Sequence, residues 1–297
     1  MTAPISIIIL THNEELNLPA ALDSVQGWAR AVFVVDSFST DDTVRIARSR
    51  GCAVVQHGFV NFGLQRNHAL EALPITTEWV FFLDADEQFT PALREEISLL
   101  LASAPKENGF FVNRRMIWMG RWIRRGYYPS WILRLFRNGK ARCESRPVNE
   151  HLIVDGPVGY LTQDLIHEDR RPLEHWMNKH IHYAREEAKE LLRSDAGGDR
   201  VNGSLLKGQV ERNRLLRQVF WNRLPPLVRP AIYFAYRFVL RGGFLDGPIA
   251  YGYHFLQAFW YPTLIDILYL RMRRDAARQV ERDSPEAPRR RTRSSRR

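Results

Sequence analysis

Two carboxylates spaced two residues apart follow a short apolar run. The run covers residues 79–83, and Asp84-Ala85-Asp86-Glu87 comes directly after it. The run predicts a buried strand, and residues i and i+2 of a strand point to the same face, so we expect Asp84 and Asp86 to reach one ligand beyond the strand's carboxyl end. Such carboxylates hold Mg²⁺ or Mn²⁺ together with substrate phosphates. The sequence therefore predicts a divalent metal site for a ligand that contains a diphosphate.

The elements that must position these carboxylates are predicted by the alternation of apolar runs and helical spacing over the first hundred residues. Polar clusters also follow the first two predicted strands, at residues 11–14 and 36–41. Because the ends of parallel strands share one sheet edge, we expect the clusters to line one crevice. A helix cap or a solvated turn explains Asp41 and Asp42 equally well. The predicted strands are 5–10, 31–35, 53–56 and 79–83, and the predicted helices are 15–26, 41–50 and 62–73.

The chain changes character after residue 108. Residues 109–158 are rich in aromatic residues and arginine, and they predict an antiparallel or mixed extension. Residues 172–193 predict a long helix, and a linker over 194–208 marks the domain boundary. The predicted domains are a catalytic domain over 1–170 with two halves (1–100 and 101–170), then helix and linker (171–208), a hydrophobic region (209–274) and an Arg-rich tail (275–297).

The hydrophobic region predicts contact with a membrane. Residues 248–270 carry one formal charge, Asp266, and are long enough to span a bilayer. Internal His254, Gln257 and Pro262 favour amphipathic helices in the interface instead. A hydrophobic subdomain packed in solution and a true span both stay open. The tail that follows is predicted to be disordered and to meet anionic lipid.

Charge and cysteine content exclude several classes. The formal net charge is +10, and eleven arginines lie in residues 271–297. A nucleic-acid-binding role would explain this tail but not the hydrophobic region, so we expect no nucleic-acid partner. Cys52 and Cys143 have no disulfide or zinc spacing. The first apolar run is too short for a signal peptide, and we expect a cytoplasmic protein peripheral to the inner face of the membrane.

The motifs of the first hundred residues resemble family 2 inverting glycosyltransferases of the GT-A fold. The resemblance lies in residues 7–14, in Val34-Val35-Asp36-Ser37 with 39–41, in Phe62-Gly63 with Arg66-Asn67, and in 83–87. Residues 134–137, 148–150, 165–167 and 243–247 resemble the branch of bacterial lipopolysaccharide core glucosyltransferases. That branch commonly has His-Glu where this chain has Asn149-Glu150. The implied fold is α/β, a mostly parallel GT-A (Rossmann-like) sheet flanked by helices, followed by a helical, membrane-interfacial extension.

The resemblance also implies roles for individual residues. Asp36 accepts from the base or ribose, Asp84 contacts the ribose or metal, and Asp86 ligates the metal. Glu150 is the implied base that takes the acceptor hydroxyl proton, although a salt-bridged surface glutamate is a second reading. The remaining implied donor-binding residues are Thr11, Asn13, Glu14 and Arg66.

Three further residues have less specific signals. His167 follows an apolar pair and is either a metal ligand, a diphosphate contact or a packed core histidine. Arg134 and Trp131 lie in the aromatic, basic region and are predicted on the acceptor side, where tryptophan can stack on a sugar and arginine can bind an anionic group. The expected partners are a nucleotide-sugar donor, UDP-sugar favoured by the resemblance, and a glycan or lipid-linked acceptor.

Two other enzyme classes share part of this pattern. A phosphatase with an aspartate nucleophile also places an Asp-x-Asp pair after an apolar strand, but Gln88 and Phe89 follow here and three predicted strands precede. A nucleotidyltransferase would share the sheet and the metal, but no Gly-rich phosphate loop follows the first strand. We therefore expect a metal-dependent glycosyltransferase of envelope polysaccharide or lipopolysaccharide biosynthesis.

Overall fold

The computed structural model of the chain describes residues 2–144, 151–195 and 224–283. A nine-stranded sheet runs in the order β3-β2-β1-β4-β8-β6-β11-β5, with β7 paired to β6, and β9 and β10 form a separate hairpin. The strands are β1 (Ala3–Thr11), β2 (Ala29–Asp36), β3 (Ala53–Gln56), β4 (Trp79–Asp84), β5 (Glu87–Phe89), β6 (Gly109–Trp118), β7 (Arg121–Trp122), β8 (Trp131–Arg137), β9 (Ala141–Cys143), β10 (Leu152–Val154) and β11 (Val158–Glu168).

The helices are α1 (Leu18–Asp23), α2 (Thr43–Ser49), α3 (Phe62–Ala72), α4 (Pro91–Ala102), α5 (Leu173–Asp195), α6 (Val228–Phe234), α7 (Pro248–His254) and α8 (Tyr261–Asp283). A π-helical turn, Ala235–Leu240, follows α6, and another, Phe255–Trp260, joins α7 to α8. A 3₁₀ turn, Gly243–Asp246, precedes α7.

The first half of the sheet is parallel and buried on both faces. In β1, Ile7 and Ile9 belong to one hydrophobic core, and Ile8 belongs to the core on the other face. A strand covered on both sides needs no polar face, which is why its sequence is mostly apolar; its one buried interior polar residue, Ser6, bonds to Thr77 Oγ1 at 2.7 Å. The four predicted strands of this half are confirmed, because β3, β2, β1 and β4 pair in parallel.

The second half of the sheet is mixed, as the composition after residue 108 predicted. Strands β4 and β8 are antiparallel, as are β6 and β8, whereas β6 and β11 are parallel. The predicted α/β class with C-terminal helices is confirmed. The strands after α4 return by short connections that permit antiparallel pairing.

Two predicted details need correction. Strand β4 ends at Asp84, and Asp86 lies in the turn to β5, so the two carboxylates do not share one strand. Helix α1 is shorter than the predicted 15–26, because the backbone amides of Glu14 and Glu15 bond to Thr43 Oγ1 and Asp41 Oδ2 at 2.7 and 3.1 Å. These bonds hold residues 14 and 15 in a polar turn instead of a helix.

By their packing, the residues form two compact units. The first contains Met1–Met177 with Phe234–Phe255, and the second contains Asn178–Tyr233 with Leu256–Arg297. Within the second unit, the buried Asp266 carboxylate accepts from the Leu227 amide at 2.7 Å and from the Arg229 guanidinium at 2.7 Å. In the sequence, Asp266 was the one formal charge of the candidate membrane-spanning segment. In the structure it is a buried residue paired with Arg229. The predicted domain boundaries stay predictions.

In the part of the chain that the structure describes, no helix has both the length and the apolar character needed to cross a membrane. Residues 248–270 are divided among α7, the π-helical turn and the first part of α8. The Arg-rich residues 284–297 and the predicted linker after residue 195 lie outside the described residues.

Candidate active site

The ends of β1, β2 and β4 meet at one edge of the sheet. Thr11 pairs with Asp36 across β1 and β2, and Leu10 pairs with Asp84 across β1 and β4. This confirms that the polar residues after the three strands lie together. Asp36 is fully buried, and its neighbour Gln56 ends β3 at the same edge.

The carboxylate of Asp36 organises the loop after β2. Its Oδ1 accepts from Thr11 Oγ1 at 2.9 Å and from the Ser39 hydroxyl, and its Oδ2 accepts from the Ser39 amide at 2.9 Å and from Gln56 Nε2 at 3.2 Å. A carboxylate offers about four acceptor positions, and all of these are in use. A nucleotide that bonds directly to Asp36 must therefore replace one of these donors.

The loops after β1 and β2 are joined by Asn13. The Asn13 amide donates to Ser39 Oγ at 2.9 Å, and its side-chain Oδ1 accepts from the Thr40 amide at 2.8 Å. Asn13 has a positive φ of 54°, which asparagine tolerates better than most residues. Asn13 and Asp36 thus fix the conformation of the two loops at this edge of the sheet.

A buried arginine neutralises the carboxylates after β4. Arg134, which is 2% exposed, bonds to Asp84 Oδ2 and, at 3.0 Å, to Glu87 Oε1. It lies at an irregularity of β8, where Phe110 pairs with Leu135 but Phe111 pairs with Leu133. Bulges of this kind redirect a side chain. Arg134, predicted on the acceptor side, is therefore placed among the carboxylates of the β4–β5 turn.

Asp84 has a second cationic partner from α3. Arg66 Nη2 lies 3.3 Å from Asp84 Oδ1, and its guanidinium carbon lies 5.8 Å from the centres of the Phe62 and Phe82 rings. Burial alone would raise the pKa of Asp84, but the charges of Arg134 and Arg66 outweigh it and hold that pKa well below its usual range. Asp84 is thus an ionised carboxylate at neutral pH.

Asp86 and His167 lie opposite one another in the neighbouring turn and strand. His167 Nδ1 is 3.7 Å from Asp86 Oδ1 and 3.8 Å from Glu87 Oε1. This nitrogen is buried and has no hydrogen-bond partner among the described residues. Burial lowers the pKa of His167, but the Asp86 and Glu87 carboxylates raise it above the usual value overall. An unused imidazole nitrogen beside a carboxylate is a donor set that fits a divalent cation completed by substrate phosphates.

Glu87 is a buried anchor that sequence reasoning missed. It is 0% exposed and lies opposite His167 in the β5–β11 pairing, and its Oε2 accepts from the Asp84 amide at 3.0 Å. Arg114 Nη1 is a further cation at 3.5 Å. Burial would raise the pKa of Glu87, but Arg134 lowers it overall. Its only sequence signal was its place directly after the Asp-x-Asp pair.

Arg171 is the second residue that sequence reasoning missed. It forms a two-bond pair with Asp169 at 2.8 Å and an ion pair with Glu14 Oε1 at 2.7 Å, and its charge also acts on Asp86. Asn17 bonds to both carboxylates, at 2.8 and 3.0 Å. The predicted donor residue Glu14 is thus tied to the segment that follows His167. The charged run at 168–171 was the signal that could have found it.

Two predicted residues are not brought to this cluster by the described contacts. Trp131 packs edge-on against Tyr160, with ring centres 5.1 Å apart, and Tyr160 stacks on Phe111 at 5.0 Å. Glu150, the predicted base, lies outside the described residues. Across the described ranges, no group of three or more His, Cys, Asp or Glu side chains is arranged to hold a metal by itself.

Residues 6–153 match the sequence model of the family Glycosyl transferase family 2. The chain belongs, through this domain, to glycosyltransferase family 2. The matched range contains the ends of β1, β2 and β4 and the Arg66, Asp84 and Arg134 cluster, so the site just described is the edge of a glycosyltransferase domain. His167 and Arg171 lie beyond the match.

Two of the relatives are named as glycosyltransferases. The chain is 35% identical over 176 residues to a lipopolysaccharide core biosynthesis glycosyltransferase of Rhizobium meliloti, covering 55% of this chain and 63% of that protein. It is 28% identical over 201 residues to an uncharacterized glycosyltransferase of Rickettsia typhi, covering 64% and 68%.

Among solved structures, the glycosyltransferase is similar to glucosyl-3-phosphoglycerate synthase of Mycobacterium tuberculosis. That structure contains Mn²⁺, UDP-glucose and phosphoglyceric acid. The similarity has 25% identity and a TM-score of 0.33, and it covers 37% of this chain and 44% of the synthase.

Proposed function

We propose that this glycosyltransferase transfers a sugar, with inversion, from a nucleoside diphosphate sugar to a glycan or glycolipid acceptor of the cell envelope. The observation that carries the proposal is the Asp86–His167 pair with its unused imidazole nitrogen, beside the ionised Asp84. The acceptor class rests on the name of the Rhizobium relative. UDP is the proposed nucleotide because of the resemblance to the core glucosyltransferase branch.

The residues at the sheet edge have distinct tasks in this proposal. Asp86 and His167 hold a divalent cation, Mg²⁺ or Mn²⁺, against the donor diphosphate. Thr11, Asn13 and Asp36 form the nucleotide side of the crevice. When the donor binds, Asp36 loses one of its hydrogen bonds from the loop after β2 and accepts one from the nucleoside instead. When bound, the cation supplies Lewis-acid stabilisation of the charge on the departing diphosphate.

The transfer itself requires a base on the acceptor side. The acceptor hydroxyl oxygen forms a bond to the anomeric carbon as the bond from that carbon to the donor phosphate oxygen breaks. Glu150 takes the hydroxyl proton, a contribution on the order of 10²- to 10⁴-fold in rate. Arg134 and Arg66 keep Asp84 ionised and fixed, so that it can orient the ribose or add to the cation site.

Calorimetric titration with UDP, GDP and dTDP, with and without Mn²⁺, tests the donor site. We expect one nucleotide to bind in a metal-dependent manner and Asp86→Asn to lose that dependence. Asp23→Asn, which changes an exposed carboxylate paired with Arg50, is the matched control and should bind as wild type does. Folded protein that binds none of the nucleotides under any condition would remove the donor site from the proposal.

Glu150 is tested by its kinetics. If it is the base, Glu150→Gln should lower kcat by about 10²-fold or more and leave nucleotide binding unchanged. An unchanged kcat would assign Glu150 to the surface-glutamate reading.

A further inference from the structure

An arginine-rich pocket lies in the first unit, away from the β4–β5 turn in sequence. Its volume is about 370 Å³, and it lies between the segment after β6 and the 3₁₀ turn before α7. We call it the arginine pocket. Its lining residues are Arg121, Trp122, Arg124, Arg125, Leu245 and Asp246.

The arginine pocket carries an excess of positive charge. Among the described residues, no carboxylate lies within ion-pair distance of the guanidinium groups of Arg121, Arg124 or Arg125. Asp246 contributes the one carboxylate of the lining, and its Oδ2 accepts from the Arg125 backbone amide at 2.7 Å. The lining therefore contains three arginines and one carboxylate. Arginine binds phosphate oxygens through two parallel hydrogen bonds, so a phosphate group suits this charge.

The walls of the pocket are fixed by packing. Arg124 lies over the Trp122 ring at 4.6 Å, and Arg115 lies 4.8 Å from the same ring. The indole nitrogen of Trp122 is buried and has no acceptor among the described residues. The Arg121 guanidinium lies against Gly247, where an added Cβ would be 3.4 Å from it, an ordinary van der Waals contact. The Trp122 wall of the pocket is thus held between two arginines, and its unpaired indole nitrogen is unusual, because buried donors in proteins are normally paired.

Exposed apolar side chains lie beside the arginine pocket. Val239, Leu240, Phe244 and Leu245 are 56, 78, 50 and 58% exposed within seven residues of chain. Leu245 also lines the pocket, so the apolar and the basic surfaces are continuous. A concentration of large exposed apolar residues is unusual on a surface that meets only water. We call residues 239–245 the apolar turn.

The geometry points to a docking surface for an anionic phospholipid membrane, formed by the apolar turn and the arginine pocket. The pocket takes lipid phosphate groups, and Leu240, Phe244 and Leu245 enter the interface between headgroups and acyl chains. An anionic membrane matches both parts of this surface. The basic pocket is complementary in charge to the anionic headgroups, and the apolar turn is complementary to the acyl chains beneath them. Lipid binding at this surface requires no sugar donor and is independent of the cation site.

Cosedimentation of the full chain with vesicles tests this surface. Vesicles of pure phosphatidylcholine are compared with vesicles that contain phosphatidylglycerol. We expect binding to the anionic vesicles, weakened on the order of tenfold or more by Arg121→Gln/Arg124→Gln. Leu240→Ser should weaken binding by about tenfold as well.

Matched controls separate this surface from general charge and hydrophobicity. Arg30→Gln/Arg48→Gln removes two exposed arginines elsewhere in the first unit, and Leu99→Ser removes a leucine that is 67% exposed on α4. Both controls should bind vesicles within about twofold of wild type. Equal losses in the controls and in the test variants would overturn the assignment, provided that thermal melts show all variants folded.

The remaining outcomes separate lipid from other occupants. Binding of glycerol phosphate or inorganic phosphate without vesicle binding would overturn the lipid source. A dimer that Leu240→Ser dissociates, with no vesicle binding, would assign the apolar turn to a second copy of the chain. Asp86→Asn should retain vesicle binding, so failure of the donor proposal and failure of the membrane proposal give different results.

Discussion

At the scale of single residues, Arg134 determines the charge balance of the site. It is buried between Asp84 and Glu87, and its own pKa is raised further by these carboxylates despite burial. Removing one member of a buried ion cluster leaves the other charges uncompensated. The stability lost by leaving a buried charge unpaired is usually larger than the stability that the intact ion pair adds relative to an apolar replacement.

Arg134→Met is therefore expected to lower the free energy of unfolding by about 3–5 kcal/mol, as measured by urea denaturation. The double variant Arg134→Met/Glu87→Gln should recover part of this loss, because the buried anion is then neutral. Arg30→Met, an exposed arginine, is the control and should change stability little. If Arg134→Met lowered the free energy of unfolding as little as Arg30→Met, the Asp84 and Glu87 carboxylates would have to be solvated or paired with another cation.

His254 makes stability depend on pH. Its side chain is buried, with Asp246, Arg237 and Tyr127 as its charged and titratable neighbours. Burial, aided by Arg237 and opposed by Asp246, lowers the pKa of His254 to about 4. The unfolded chain binds this proton with a pKa near 6.5, so the folded state loses stability as pH falls from about 6.5 to about 4.

We expect this loss to be on the order of 3 kcal/mol, from chemical denaturation at a series of pH values. The stability of His254→Asn should have a smaller pH dependence over this window than that of wild type. Identical pH dependence in His254→Asn and wild type would show that His254 does not carry the effect.

At the scale of elements, helix α3 explains the pattern Phe62-Gly63 with Arg66-Asn67. Residues i, i+3 and i+4 share one helix face, and in α3 three residues of this face contact other segments of the chain. Gly63 admits the carbonyl of Glu144, Arg66 pairs with Asp84, and Asn67 bonds to the Cys143 amide and carbonyl at 2.8 and 3.0 Å. The helix thus fixes the end of β9, which precedes residues 145–150 in the chain.

Gly63→Ala is expected to lower stability by about 1–3 kcal/mol in thermal or urea unfolding. The added Cβ would lie 2.3 Å from the Glu144 carbonyl oxygen, and a backbone atom cannot move aside cheaply. Gly252→Ala in α7 is the control, because nothing lies within 4 Å of its added Cβ and alanine favours the helix by up to about 1 kcal/mol. Equal effects of the two substitutions would contradict this account of α3.

At the scale of the whole molecule, the positive charge of the tail is expected to strengthen binding to anionic lipid. Residues 284–297 contain six arginines and one glutamate. A truncation after residue 283 should weaken binding to anionic vesicles by more than tenfold, at about 1 kcal/mol per charge near the surface, and should reduce the salt dependence. Nucleotide binding measured by calorimetry should not change. Equal vesicle affinity with and without the tail would assign lipid binding to the folded surface alone.

The sequence by itself determined the parallel half of the sheet and the edge where the site lies. Continuous apolar runs such as 5–10 can only be buried on both faces, and parallel strands then bring their polar ends to one edge. Thr11, Asp36 and Asp84 were placed at this edge in this way, and the motifs identified the glycosyltransferase family. These inferences depend on local pattern, which a sequence displays directly.

Only the tertiary structure decided how the charges are paired. Arg134 reaches Asp84 and Glu87 because of an irregularity in β8, and Arg171 reaches Glu14 across 157 positions of sequence. The contact between His167 and Asp86 likewise joins segments that are far apart in the chain. The same is true of the hydrogen bond from the Arg125 amide to Asp246, in the 3₁₀ turn before α7. Periodicity and composition carry no information on such partners, because the register and irregularities of strands are set by the packing of the whole sheet.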